Sequence, residues 1–150
     1  MSYDYKKTNK KETKKQKFMR IFIAVLYFFE VVLTTSPFVW GMDDKGNPQQ
    51  LTAFQIAVQP NGYDGVQDIK LAIVFGLILL LPLVGFFFCI LDKSRVKNFF
   101  NLACGLVCVC IITFGIGPNM GSGAFWSMLI YVFILFLNTI NLLDSVKKSS

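Results

Sequence analysis

Apolar residues in this chain gather into four long blocks, 18–40, 71–91, 99–117 and 124–143, divided by polar stretches. A soluble protein of this size would mix polar and apolar segments, and the polar remainder here is too small to cover such blocks in water. Each block is close to the ~20 residues that carry a helix across ~30 Å of hydrocarbon. Helices are the expected form, because each satisfies its own backbone hydrogen bonds where water is absent. The pattern predicts an all-α membrane protein: a four-transmembrane-helix bundle over 18–143, with a polar arm before it, an outer loop over 41–70 and a tail over 144–150.

The loops carry their own patterns. Asp44-Lys45-Gly46-Asn47-Pro48 is turn chemistry, as is Pro60-Asn61-Gly62. Between them, Leu51 to Val58 places Phe54, Ile56 and Val58 on one side, the period-2 spacing of a half-buried strand. The outer loop is therefore expected to form a short extracytoplasmic β-like cap that rests on the helices, since two strands alone are marginal. In the second block Pro82, flanked by Gly76 and Gly85, predicts a kink. Gly117 to Gly123 reads as a turn, lacking the Lys-Ser/Thr ending of a phosphate loop.

Charge adds orientation. The net charge of +6 is unevenly placed. Residues 1–20 hold Lys6, Lys7, Lys10, Lys11, Lys14, Lys15, Lys17 and Arg20, and the same side gains Lys93, Arg95, Lys97, Lys147 and Lys148. The opposite side has Lys45 and Lys70. Such a bias directs the basic side to the cytoplasm and fits a multi-pass protein of the cell membrane with both termini cytoplasmic. It does not point to nucleic acid. Residues 1–17 lack apolar periodicity and read as a disordered basic cytoplasmic arm, while Lys14, Lys15, Lys17 and Arg20 stand where anionic lipid headgroups lie. The first block is too long for the h-region of a signal peptide and no A-x-A-like site follows it, so it reads as an uncleaved anchor.

The candidate chemistry is sparse. The chain has no histidine, and Cys89, Cys104, Cys108 and Cys110 all fall inside apolar blocks without metal-ligand spacing. No metal and no cofactor is expected, and the cysteines read as packing residues. At ~100° per residue, Tyr27, Glu30, Thr34 and Pro37 share one face of the first helix. Asn101, Gly105, Cys108 and Gly115 form a mostly small face on the third. Ser127, Tyr131, Asn138, Asn141 and Ser145 form a polar face on the fourth. These three faces are expected to meet inside the bundle, small residues allowing close approach and polar ones bonding across helices. The second helix, almost wholly aliphatic and aromatic, is expected to be the most lipid-exposed. Glu30 falls near mid-depth with no counter-ion at its level, and an ionised carboxylate there costs at least ~2.5 kcal/mol. Either it is neutral and donates to Tyr131 or Asn138, or it lines a wet cavity or an oligomer interface that a cation can enter.

Glu30-Val31 followed by Thr34-Thr35, in the first of four spans, resembles the opening of the small multidrug resistance transporters, and Ile140 to Leu143 resembles their last helix. The resemblance implies a proton- or drug-binding role for Glu30 in a dimer. It covers about ten residues. The outer loop, the basic arm, the one-way charge bias and a third span without the family's glycine-rich pattern depart from it, so membership is not inferred. With no nucleophile–base pair and no nucleotide motif, an enzyme is not expected. The reading is a non-enzymatic tetraspan accessory or scaffolding subunit, whose partners are the lipid bilayer and another membrane protein or a second copy of itself. The alternative is a small proton- or cation-coupled transporter or channel subunit with Glu30 as coupling residue and Tyr27, Thr34, Tyr131 and Asn138 along its path.

Overall fold

In a computed structural model, described over residues 13–42, 45–58, 69–91 and 96–147, a reciprocal cap starts the first helix. The Gln16 amide donates to Thr13 Oγ1 at 3.3 Å and the Thr13 amide to Gln16 Oε1 at 3.1 Å, satisfying two of the donors a helix start leaves open. Helix α1 spans Lys14–Leu33. It thus begins inside the stretch expected to be a disordered arm, of which residues 1–12 lie outside the described residues. It also ends early. Thr34 Oγ1 donates to the Val31 carbonyl at 2.6 Å and Thr35 Oγ1 to that of Val32 at 2.7 Å. Pro37 then excludes helix, having no N–H and disfavouring helical backbone in the residue before it. The last part of the block 18–40 is therefore not helix, and Pro37–Met42 is strand β1.

Strand β2, Pro48–Thr52, pairs antiparallel with β1, with Val39 opposite Leu51 and Trp40 opposite Gln50. Gly46 takes φ +78° in the turn, where a side chain is disfavoured. The β cap exists, but its strands lie upstream of the expected 51–58. A second reciprocal cap explains the shift: the Thr52 amide donates to Gln55 Oε1 and the Gln55 amide to Thr52 Oγ1, at 3.0 and 3.1 Å. That starts a short helix α2, Ala53–Val58. Of the three residues that alternation put on one side, Ile56 is buried while Phe54 and Val58 face out.

Helix α3 is Ile69–Leu91 and α4 is Val96–Cys110, which continues through a π-helical stretch, Ile111–Ile116, and a 3₁₀ turn, Gly117–Asn119; α5 is Ser122–Lys147. Among the described residues, three helical stretches are long and apolar enough to cross a membrane: Ile69–Leu91, Val96–Asn119 and Ser122–Asp144. The count is three rather than the expected four. Lys17, Arg20 and Glu30 interrupt the apolar run of α1, which also stops at Leu33. The protein is mostly helical and membrane-embedded.

Helix α1 packs on α3 and α5, and α4 packs on the same two, so the four long helices form a ring. Of the three apolar stretches α3 buries the smallest share, as its uniform composition predicts. It turns Phe75, Ile78, Pro82, Gly85 and Cys89 inward. The hairpin is fastened to the start of α5. The Gly121 amide donates to the Phe38 carbonyl at 2.8 Å, and a Cβ on Gly121 would lie 2.6 Å from the Pro37 carbonyl oxygen. The glycine-rich turn is thus a seat that brings β1 against backbone. Phe38, buried, meets Phe75 edge-on at 6.3 Å.

Candidate functional site

Spacings of three, four and seven residues put Tyr27 and Glu30 on one stripe of α1, and Ser127, Tyr131, Asn138 and Asn141 on one stripe of α5. The ring turns both stripes inward, where Asn98, Asn101 and Cys108 of α4 meet them. All of these residues are buried. Asn101 is the hub. It accepts from the Tyr27 hydroxyl at 3.1 Å, and its amide nitrogen lies 3.4 Å from both Asn138 Oδ1 and Cys89 Sγ. Asn138 donates in turn to the Ile134 carbonyl at 2.9 Å. Further along, Asn141 Nδ2 lies 3.4 Å from Asn98 Oδ1. These pairs join four helices, and each is the kind of contact that holds bundles together where water is absent.

Glu30 is 1% exposed. Its Oε2 accepts from Ser127 Oγ at 2.5 Å, while its Oε1 has no hydrogen-bond partner among the described residues. The Tyr131 hydroxyl has no oxygen or nitrogen partner among the described residues, but it faces the Cys108 thiol and stands within electrostatic reach of Glu30. The expected partners of Glu30, Tyr131 and Asn138, do not bond to it. Glu30 sits three residues before the end of α1 rather than midway along it, because α1 starts and stops earlier than the apolar block does. Its level is that of Ser127, near the start of α5, and Asn138 lies eleven residues on, about 16 Å along the axis. Thr34 is buried but follows the helix end, where its hydroxyl bonds to Val31.

Two of the small residues do what their face predicted. Gly105 is a notch for Leu135, and Cys108 is wholly buried. Gly115 is not on that face; it is exposed, and a Cβ there would meet only Ile111 of its own helix. The π-helical stretch, with its wider turn, takes residues after Cys110 off the ~100° projection. Gly85 carries a role that sequence alone did not mark: a Cβ there would lie 2.6 Å from Tyr27 Cζ, so its absence is what seats the ring. Ser127 was legible as part of a polar face, though not as the partner of Glu30.

The basic residues divide. Lys14 and Lys17 are exposed, and Lys15 bonds Asp144 at 2.6 Å, an exposed ion pair of small worth. Arg20 is buried and donates to the Cys89 and Ile90 carbonyls at 2.9 and 3.2 Å. It thereby supplies partners to carbonyls that the end of α3 leaves open. No protein family, curated protein or solved structure matches the chain.

Proposed function

We propose that this chain is a non-enzymatic tetraspan protein of the cell membrane, an accessory or scaffolding subunit that packs against another membrane protein or a second copy of itself. The observation that carries this reading is that the buried polar side chains of α1, α4 and α5 bond chiefly to one another: Tyr27 to Asn101, Asn101 to Asn138, Asn98 to Asn141 and Glu30 to Ser127. Groups used in this way fix how helices pack. The exterior is rich in large apolar side chains, which suit lipid or another membrane protein.

Counting α1 as the fourth span has its own support. Twenty residues at ~1.5 Å each give about 30 Å, the thickness of the hydrocarbon. Two of the charges that interrupt its apolar run, Arg20 and Glu30, are buried and bonded to neighbouring helices, whereas Phe18, Phe22, Phe28 and Phe29 face outward. With both termini cytoplasmic, cysteine probes at Gln49 or Asn61 are expected to react with an impermeant reagent in intact cells. Probes at Lys10, Ser94 or Ser149 are expected to stay protected, and labelling at Ser94 would overturn the orientation.

A second reading, the proton- or cation-coupled transporter or channel subunit, is favoured by one observation. Among the described residues Glu30 Oε1 is buried without a partner, and the nearby Tyr131 hydroxyl has no oxygen or nitrogen partner, only the Cys108 thiol; a buried carboxyl oxygen in that state calls for a water, a proton or an ion. The two readings part on Glu30→Gln. In a scaffold the variant retains expression and association, because the amide still accepts from Ser127. In a transporter it folds but abolishes flux of protons, alkali cations or organic cations in liposomes. Wild-type protein with no flux of any of these excludes the second reading; flux lost in the variant excludes the first.

A further inference from the structure

A groove of about 520 Å³ runs along the outside of the bundle between α1 and α3, with Ala24, Val25 and Phe28 on one wall and Phe86 and Ile90 on the other. Arg20 closes one end. From Arg20 to Phe28 is eight residues, about 12 Å of helix. Beyond Arg20 the stripe continues. Lys17 and Lys14 stand three and six residues earlier, which at ~100° per residue places both within the arc that Ala24, Val25 and Phe28 occupy. Both lysines are exposed. The groove is therefore apolar along its length and cationic at one end, and that end is the one where an apolar helix leaves the membrane.

We infer that this groove binds one anionic glycerophospholipid, with an acyl chain lying between α1 and α3 and the phosphate and headgroup at Lys14, Lys17 and Arg20. Charge complementarity selects this occupant. A hollow on the lipid side must be filled by something apolar, and any lipid tail can do that. Only an anionic headgroup gains from basic residues clustered at one end of it. The Arg20 guanidinium already holds the last carbonyls of α3, so it contributes a fixed positive charge at the rim, while the flexible lysines reach the headgroup. A second hollow on α3 is lined, among the described residues, by Val84, Phe87, Phe88 and Leu91, none of them basic, so those side chains do not select a headgroup by charge. The inference goes beyond the scaffold reading and does not depend on it.

The test is native mass spectrometry of delipidated full-length protein titrated with palmitoyl-oleoyl phosphatidylglycerol or with the phosphatidylcholine of the same chains. Wild-type protein is expected to bind one phosphatidylglycerol at least about tenfold more tightly than phosphatidylcholine. The double variant Lys14→Gln/Lys17→Gln should lose that preference, as two surface charges are worth about that factor or more. Val25→Trp narrows the groove from the α1 wall and Ile90→Trp from the α3 wall. Each position is about half exposed, 43% and 47%, so the fold accommodates the larger side chain. Each variant should weaken phosphatidylglycerol about tenfold, and Val132→Trp on the outer face of α5 should not. Equal binding of the two lipids by wild-type protein overturns the inference. So does a preference that the lysine variant removes but neither tryptophan affects, since that outcome means surface attraction without a groove.

Discussion

Gly85→Ala is expected to destabilise the bundle by about 1–3 kcal/mol, and Gly85→Leu to prevent folding. A Cβ at this position lies 2.6, 2.7 and 2.8 Å from three atoms of the Tyr27 ring, well inside van der Waals contact. The ring has nowhere to go, for Tyr27 is fully buried and its hydroxyl is tied to Asn101. Any shift that relieves the clash breaks that bond. Urea or guanidinium unfolding in detergent measures the loss. The diagnostic result is the combination of Gly85→Ala with Tyr27→Leu: the smaller side chain removes the clash, so the pair should be clearly less destabilised than the sum of the two single changes. Additive losses would mean that the tyrosine is not seated against α3.

Asn101→Leu should cost about 2–4 kcal/mol. The substitution leaves two buried polar groups without their partner, the Tyr27 hydroxyl and Asn138 Oδ1, and each such group costs ~1–3 kcal/mol. Asn138→Leu removes a single interhelical pair and should cost roughly 0.6–2 kcal/mol. The double variant should lose less than the sum, because the first change has already broken the shared bond. Glu30→Leu and Asn138→Leu, by contrast, should add, since the two residues stand about 16 Å apart along the bundle. Coupling between Glu30 and Ser127 should replace it.

The apolar blocks gave the three long apolar stretches, Ile69–Leu91, Val96–Asn119 and Ser122–Asp144, to within about three residues at each end, because there nearly every side chain suits lipid or a neighbouring helix. The inward faces of α1 and α5 were also legible, since one polar stripe on an otherwise apolar helix has one place to go. What composition hid was where helix stops. Thr34, Thr35 and Pro37 end α1 through hydroxyl-to-carbonyl bonds and a missing N–H, effects that an average over apolar residues does not register. The misplaced level of Glu30 followed directly from that error. Thr52 and Gln55 carried a visible cap signature, but the alternation of Phe54, Ile56 and Val58 suggested strand, and the cap prevailed. Gly115 was misassigned because a π-helical stretch cannot be seen in residue spacing.

The bond between Glu30 and Ser127 joins residues 97 positions apart, and the Lys15–Asp144 pair spans 129. A ribosome finishes α1, the hairpin, α3 and α4 before it reaches residue 127. Contacts of such sequence separation also carry the largest closure entropy and form slowly. The seam between the first helix and the last is therefore the final one to shut during biogenesis. A nascent chain that has not yet reached α5 holds a carboxylic acid whose eventual donor has not been made, and the hairpin lacks the glycine seat on which it will rest.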